Sequence, residues 1–328
     1  MTALSQTRAI PATTRHGLRD LIGACAILAV GVGCFFLFPN NLSFLTIILS
    51  ISLLVMSLDL VTGVSGVATL GHAFVYGAGA YAAGIASVNG VSDPLLLLLL
   101  GSLAGLLAGV VSGALILKGH GLSQLVISIA LVQLASEGVN KASFVTGGSD
   151  GLAGLTIDPL FGIFEFDLWG RTAFWLALAV VLVVAVLLRI LVRSPFGMMC
   201  RGIHQDRVRV RAMGASVYLT LLKMYAISGF VGGLGGALQA VATQVVGLDS
   251  VSFTTSAEAL VMLIFGGTGH IFGALAGTFV FMWFEHSVSA ASPFHWLILV
   301  GILLILVVLF APKGIYGLVG RLFQHKEV

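Results

Sequence analysis

Arg189-Ile-Leu-Val-Arg193-Ser-Pro-Phe-Gly-Met-Met-Cys-Arg201-Gly-Ile-His-Gln-Asp-Arg207-Val-Arg209-Val-Arg211 gathers six of the sixteen Lys and Arg residues of the chain into 23 positions. Long apolar runs lie on either side. Basic residues beside hydrophobic spans stay on the cytoplasmic side of a membrane. The stretch is too long and too charged for a simple turn. It reads as a cytoplasmic loop with a short helix of its own, at about 203–213, in the middle of a polytopic membrane protein. A partner inside the cell is expected to dock there.

Composition leads to the same class. The 328 residues are 58% apolar and 9% charged, with a mean hydropathy of +1.10. A soluble domain is about 25% charged, so a water-facing globule is excluded. The fold class is all-α: a polytopic helical membrane protein with about eight spanning helices plus a re-entrant or broken helical hairpin. The net charge of +3 is not a nucleic-acid footprint, because the basic residues sit at span ends and form no continuous face. Cys25, Cys34 and Cys200 are too few and too scattered for a disulfide framework.

Apolar runs at 21–38, 43–61, 72–90, 94–117, 121–137, 172–191, 223–246 and 296–311 are long enough to approach or exceed a membrane span. Arg8, Arg15 and Arg19 precede the first run, which lacks a small-residue cleavage site and reads as a retained helix. Lys313, Arg321 and Lys326 mark the other terminus. Residues 1–20 and 319–328 are therefore expected as cytoplasmic tails around a transmembrane domain at 21–318, with 138–171 external and 192–222 cytoplasmic. Both termini inside requires an even number of crossings. The region 257–288, broken by Gly266-Gly-Thr-Gly269-His270, is then expected to leave and re-enter on one side. Irregular backbone at that depth needs protein or water to satisfy it.

Glycine accounts for 42 residues and is spaced in register. Gly101, Gly105, Gly109 and Gly113 share one helical face, and Gly269, Gly273 and Gly277 repeat the interval. Small residues at this spacing let backbones approach closely in lipid. Packing within one subunit is the first reading and a subunit interface the second. Thr69-Leu-Gly71-His72-Ala-Phe74 is echoed by Thr268-Gly269-His270-Ile-Phe272, a hint of an internal repeat.

No catalytic constellation stands out. The chain has no G-x-x-x-x-G-K-[ST] loop and therefore no phosphate cradle of its own. Gly77-Ala-Gly79 with Gly84 lies inside an apolar span without a preceding strand, so packing explains it better than a dinucleotide. The eight histidines show no metal-ligand spacing. Neither a cofactor nor a metal is expected on this chain, and an enzyme is the weakest functional class.

Four stretches resemble one family, the permease subunits of branched-chain amino acid ABC importers, and within it the M-type subunit of the Liv system. Leu58-Asp59-Leu-Val-Thr-Gly63-Val-Ser-Gly66-Val-Ala-Thr69-Leu-Gly71-His72-Ala-Phe74, followed by Gly77, Gly79, Ala80 and Tyr81, is similar to its L-N-L-x-x-G-x-x-G-x-x-S-L-G-H-A segment. Thr146-Gly-Gly-Ser-Asp150-Gly-Leu152 resembles its T-G-G-S-D-G-L motif. Ser194-Pro-Phe-Gly197 through Arg211-Ala-Met-Gly214 to Lys223 resembles its cytoplasmic S-P-F-G … R-A-L-G segment. Phe265-Gly-Gly-Thr-Gly269 and Ala311-Pro-Lys-Gly314-Ile-Tyr-Gly317-Leu318 resemble its later motifs. The likeness spans about 45–318. Asp59 stands where the family usually has Asn, Thr69 replaces Ser, Arg207 stands where an acid is common, and Leu117-Lys-Gly119-His-Gly-Leu lacks an aromatic pair.

The resemblance implies an importer permease in the bacterial inner membrane, moving a branched-chain amino acid or a related small amide or carboxylate. It implies a second related permease subunit, two cytoplasmic ATPases that hold ATP and Mg, and a periplasmic or extracellular solute-binding protein. Ile203, Asp206, Arg207, Arg209, Arg211 and Gly214 would form the ATPase-coupling element. Asp59, Gly71, His72, Tyr81, Glu258, Gly266 and Gly267 are the candidate translocation residues. Asp59, Glu137, Glu258 and Glu285 lie within or at the ends of spans, where a carboxylate is costly and usually faces a cavity or partner; a structural hydrogen bond or a protonated acid is the other reading. The alternative class is a stand-alone secondary transporter or channel in which such carboxylates handle a proton or cation.

Overall fold

The computed structural model describes residues 28–167 and 169–291, with 298, 301, 302 and 305 besides. The basic N-terminal tail and the C-terminal motif at 311–318 lie outside the described residues, as does most of the span expected at 296–311. Twelve helices are described: α1 Leu28–Leu37, α2 Leu42–Asp59, α3 His72–Val88, α4 Pro94–Ile116, α5 Leu122–Lys141, the single turn α6 Ser143–Thr146, α7 Arg171–Arg193, α8 Pro195–Gln205, α9 Arg207–Ala212, α10 Val217–Thr243, α11 Phe253–Gly266 and α12 Ile271–Ala291. Six of these, α2, α4, α5, α7, α10 and α12, are long and apolar enough to cross a bilayer. The chain is a helical polytopic membrane protein, as its composition requires.

Span ends follow local chemistry. Pro94 opens α4 with its missing N–H in the first turn, and Asp93 Oδ1 accepts from Leu95 N–H at 2.9 Å. α10 begins six residues before the apolar run at 223–246, because a helix at the bilayer edge continues through polar residues such as Lys223 that keep their charge in water. The expected region 257–288 is a hairpin of unequal arms. At 1.5 Å per residue, the 14 residues of α11 reach about 21 Å, short of a bilayer core of about 30 Å, whereas the 21 residues of α12 suffice.

α2, α3, α4 and α10 form the centre, with α10 packing chiefly on α4 and then on α3 and α2. The glycine stripe explains the closeness of α4 and α10. A Cβ at Gly105 would lie 2.5 Å from Gly233 Cα, one at Gly109 would lie 2.5 Å from Tyr225 O, and one at Gly233 would lie 2.6 Å from Gly105 Cα. Two glycine faces thus meet backbone to backbone inside one subunit. The second stripe is only partly a stripe. Gly273 and Gly277 pack on Gly266, but Gly269 lies in the turn before α12 at φ +80°. The spacing placed all three on one helix; the left-handed backbone ends that register.

Two ends can be told apart. One carries α8, α9, the C-termini of α2 and α4, and the start of α10. The other carries the Thr146–Leu152 motif. There Gly147, Gly148 and Gly151 all take positive φ, and Leu152 pairs with Val246 in a short antiparallel ribbon that pins this segment to the end of α10.

Candidate functional site

The loop at 192–222 is two helices rather than the single one expected at about 203–213. Ser194 Oγ accepts from Gly197 N–H at 3.3 Å and Pro195 opens α8. A Cβ at Gly197 would lie 2.5 Å from Leu191 O, so α8 folds tightly back on the end of α7. The chain then breaks at Asp206, which is extended at φ −156° and caps α9 by accepting from Val208 N–H at 2.9 Å and Arg209 N–H at 3.0 Å. Asp206 also lies 3.7 Å from Arg209 Nε. The Arg209 N–H, above all, holds the Asp206 carboxyl below its ordinary value; desolvation opposes it, and Val208 N–H and the Arg209 guanidinium assist. Gly214, at φ +86°, follows the end of α9.

These helices have an inner and an outer face. Ile203 is fully buried among Val61, Val67, Ile116, Leu117, Val217, Leu221 and Tyr225. It therefore anchors the element to the core instead of meeting a partner. Cys200 is buried beside it; burial pushes its thiol up to about 11, and the Ser65 hydroxyl opposes part of that shift. The His204 ring covers Gly66, itself at φ +69°. On the outer face Arg209 and Arg211 are exposed with Met198, Val208 and Met213, the last two 78% and 79% accessible, while Arg207 is half-buried. Arginines at i, i+2 thus point in different directions.

Behind α8 lies a break in the central helices. α2 passes into one wide turn, Leu60–Val64, and the chain runs irregularly to Gly71 before α3 starts at His72. α8 packs directly on that wide turn. His72 is buried, with Nε2 2.7 Å from Ser228 Oγ, whose hydroxyl donates to Ser57 O at 2.7 Å. Because the serine proton is committed to Ser57, Nε2 carries the imidazole proton. His72 therefore ties α3 to α10 and α2. At Gly71 a Cβ would meet Ser128 Cβ at 3.1 Å, so this glycine admits α5, and Ser128 Oγ accepts from Leu70 N–H at 3.0 Å.

Asp59 is fully buried at the last position of α2. Its Oδ1 accepts from Gly269 N–H at 2.6 Å, and Oδ2 has no partner among the described residues. Gly63 makes room for this bond: a Cβ there would lie 2.5 Å from Gly269 N. Gly266 packs on Gly273, and Gly267 turns the chain at φ +105°. The carboxylate thus latches the α11–α12 turn to the central break. Both halves of the Gly-His echo lie in equivalent places, each just ahead of a helix that follows a break.

The seven candidate translocation residues do not converge. Asp59, Gly266 and Gly267 form the latch, and Gly71 and His72 form the neighbouring tie. Tyr81 lies nine residues further along α3, about 14 Å away, buried and with no hydroxyl partner among the described residues. Glu258 lies half-buried on α11, eight residues or about 12 Å from Gly266. Ser57, Ser228 and the α10 glycines were missed in the sequence. Gly229, Gly233 and Gly232, Gly236 repeat the four-residue interval, a signal that was available there.

The family described as branched-chain amino acid transport system / permease component matches residues 40–308, which include the break, the latch, α8 and α9. The chain belongs to this family. Among curated relatives, this permease is 23% identical over 328 residues to the high-affinity branched-chain amino acid transport system permease protein LivM of Salmonella typhimurium, covering 93% of this chain and 77% of that protein. The LivM protein of Escherichia coli K12 is 23% identical over 329 residues with the same coverage. A probable LivM permease of Methanocaldococcus jannaschii is 22% identical over 229 residues, covering 65% of this chain and 66% of its own. No solved structure matches.

Proposed function

We propose that the permease is the membrane-spanning subunit of an ABC importer that carries a branched-chain amino acid, or a related small amide or carboxylate, into the cell. The partners in this reading are a second related permease, two cytoplasmic ATPases holding ATP and Mg, an external solute-binding protein and the surrounding lipid. The basic end, with both termini, faces the cytoplasm. One observation carries the reading: α8 and α9 present Arg209, Arg211, Val208 and Met213 outward while Ile203 is sunk into the break in the central helices. A force applied to the outer face reaches Val61 and Val67 through Ile203, and the α11–α12 turn through Asp59. Such a two-state element, biased by an ATPase, is what alternating access requires. The chain itself does no covalent chemistry in this scheme.

The test is affinity purification of the tagged full chain from membranes, beside the Arg207/Arg209/Arg211→Glu variant. An ATPase is expected to co-purify with the wild type and to fall at least tenfold with the variant, because reversing three charges at a docked surface converts attraction to repulsion. Absence of an ATPase under gentle extraction would instead favour the secondary transporter, with Asp59 and Glu258 as its working groups.

A further inference from the structure

α5 is the least buried of the six spans and is built unlike α4 and α7, although α12, 39% buried, is less apolar still. Only 22% of its most apolar window is buried, against 44% for both α4 and α7. A helix turned so far outward in a bilayer should be the most apolar of the set, yet α5 is less apolar than either. The exposed positions of α4 within its span are Leu95, Leu96, Leu99, Leu103, Leu107, Val111 and Leu115, a surface made for lipid. On α5 the exposed positions include Leu122, Leu134, Gly138 and Lys141, but also Ser123, Val126, Ala130, Gln133, Glu137 and Asn140, which recur at intervals of three and four and fall within an arc of about 100°. Among the described residues nothing bonds the side chains of Gln133, Glu137 or Asn140. Polar and ionisable side chains on a span face protein or water, not acyl chains.

We infer that this face of α5 lines a water-filled seam between the permease and a second permease subunit, and that Gln133 and Glu137 there contact the travelling solute. The inference rests on the importer reading above. Water suits the face better than dry packing does. Val126, Ala130 and Leu134 alternate with an amide and a carboxylate, a wall that meets both the aliphatic and the ionic parts of an amino acid. A second copy in dry contact would set Glu137 against a like charge within the membrane.

The experiment is cysteine labelling in membrane vesicles carrying the full assembly. Ala130→Cys, Gln133→Cys and Glu137→Cys on α5 are compared with Leu103→Cys and Leu107→Cys on α4, each in a chain with Cys25→Ser and Cys34→Ser. Cys200 is buried and stays in place. A charged methanethiosulfonate reagent needs thiolate, which forms in water and not in lipid. The α5 positions are expected to react at least tenfold faster than the α4 positions, and leucine supplied on the outer side is expected to slow them. Equal, slow labelling on both helices overturns the inference, whether lipid, a dry partner or the terminal span of the chain covers α5. Co-purifying ATPase is measured in the same vesicles. Its loss would strike the importer reading, whereas equal labelling with the ATPase present strikes the seam alone.

Discussion

Gly105→Leu is expected to abolish the folded permease. The side chain would have to occupy space already filled by α10: a Cβ at 105 would lie 2.5 Å from Gly233 Cα and 2.8 Å from Gly233 N, and both are backbone atoms with no rotamer to yield. Overpacking a well-fitted core costs about 1–3 kcal/mol when side chains can shift. Here two helices must separate along a shared glycine face, so the loss is expected to exceed that range and approach the whole stability of a typical domain, about 5–15 kcal/mol. Leu107→Ala on the outward face of the same helix removes similar bulk from a lipid-facing position and should be nearly silent. Detergent extraction followed by size-exclusion chromatography separates the two. Gly105→Leu should leave no monodisperse peak, and Leu107→Ala should match the wild type. A normal peak for Gly105→Leu would mean that α4 and α10 do not meet at their glycines.

Asp59 should tolerate Asn and not Ala. Its structural role is an acceptor for Gly269 N–H, 210 positions away in sequence. Ala would leave that N–H unpaired in the interior, a loss of about 1–3 kcal/mol, and would free the α11–α12 turn from the break. Uptake is expected to fall at least tenfold. Asn supplies the same Oδ1 acceptor without a buried charge, so uptake should stay within about threefold of wild type, a difference of under 1 kcal/mol. If Asn proves as damaging as Ala, the negative charge itself is at work. Asp59 would then belong to a cation or proton route and not to a latch.

The helical membrane class, the broken hairpin and the basic loop were legible because each leaves a local signature, a run of apolar residues, a glycine cluster or a charge excess. The count of about eight spans was not matched, since six helices among the described residues are long and apolar enough and the run at 72–90 forms the 17-residue α3. What holds the breaks together was not legible. Asp59–Gly269 and His72–Ser228 join positions far apart in the chain, and nothing near Asp59 says whether its carboxylate faces a lumen or a backbone N–H. A rare polar residue in an apolar helix therefore read as a translocation residue, whereas the structure shows one of its oxygens bonded to irregular backbone. Glu137 is the converse case: the sequence marked it as one of four acids within or at the ends of spans without singling it out. Only its exposure beside Gln133 and Asn140 sets it apart. Ile203 shows a third kind of difference. An isoleucine in a basic amphipathic stretch marks a buried face, but the sequence leaves open whether this chain or a partner buries it.

The central claim is that α8 and α9 pass work from a bound ATPase to the broken core through Ile203. The most direct measurement is paired ATP hydrolysis and solute uptake in proteoliposomes carrying the complete assembly, with Ile203→Ser beside Ile203→Val. Ile203→Ser removes the apolar anchor and leaves Arg209, Arg211 and Met213 on the outer face. The ATPase should therefore remain bound and hydrolysis continue, while uptake falls more than tenfold; Ile203→Val should keep both. Full uptake by Ile203→Ser at an unchanged rate of hydrolysis would contradict the account.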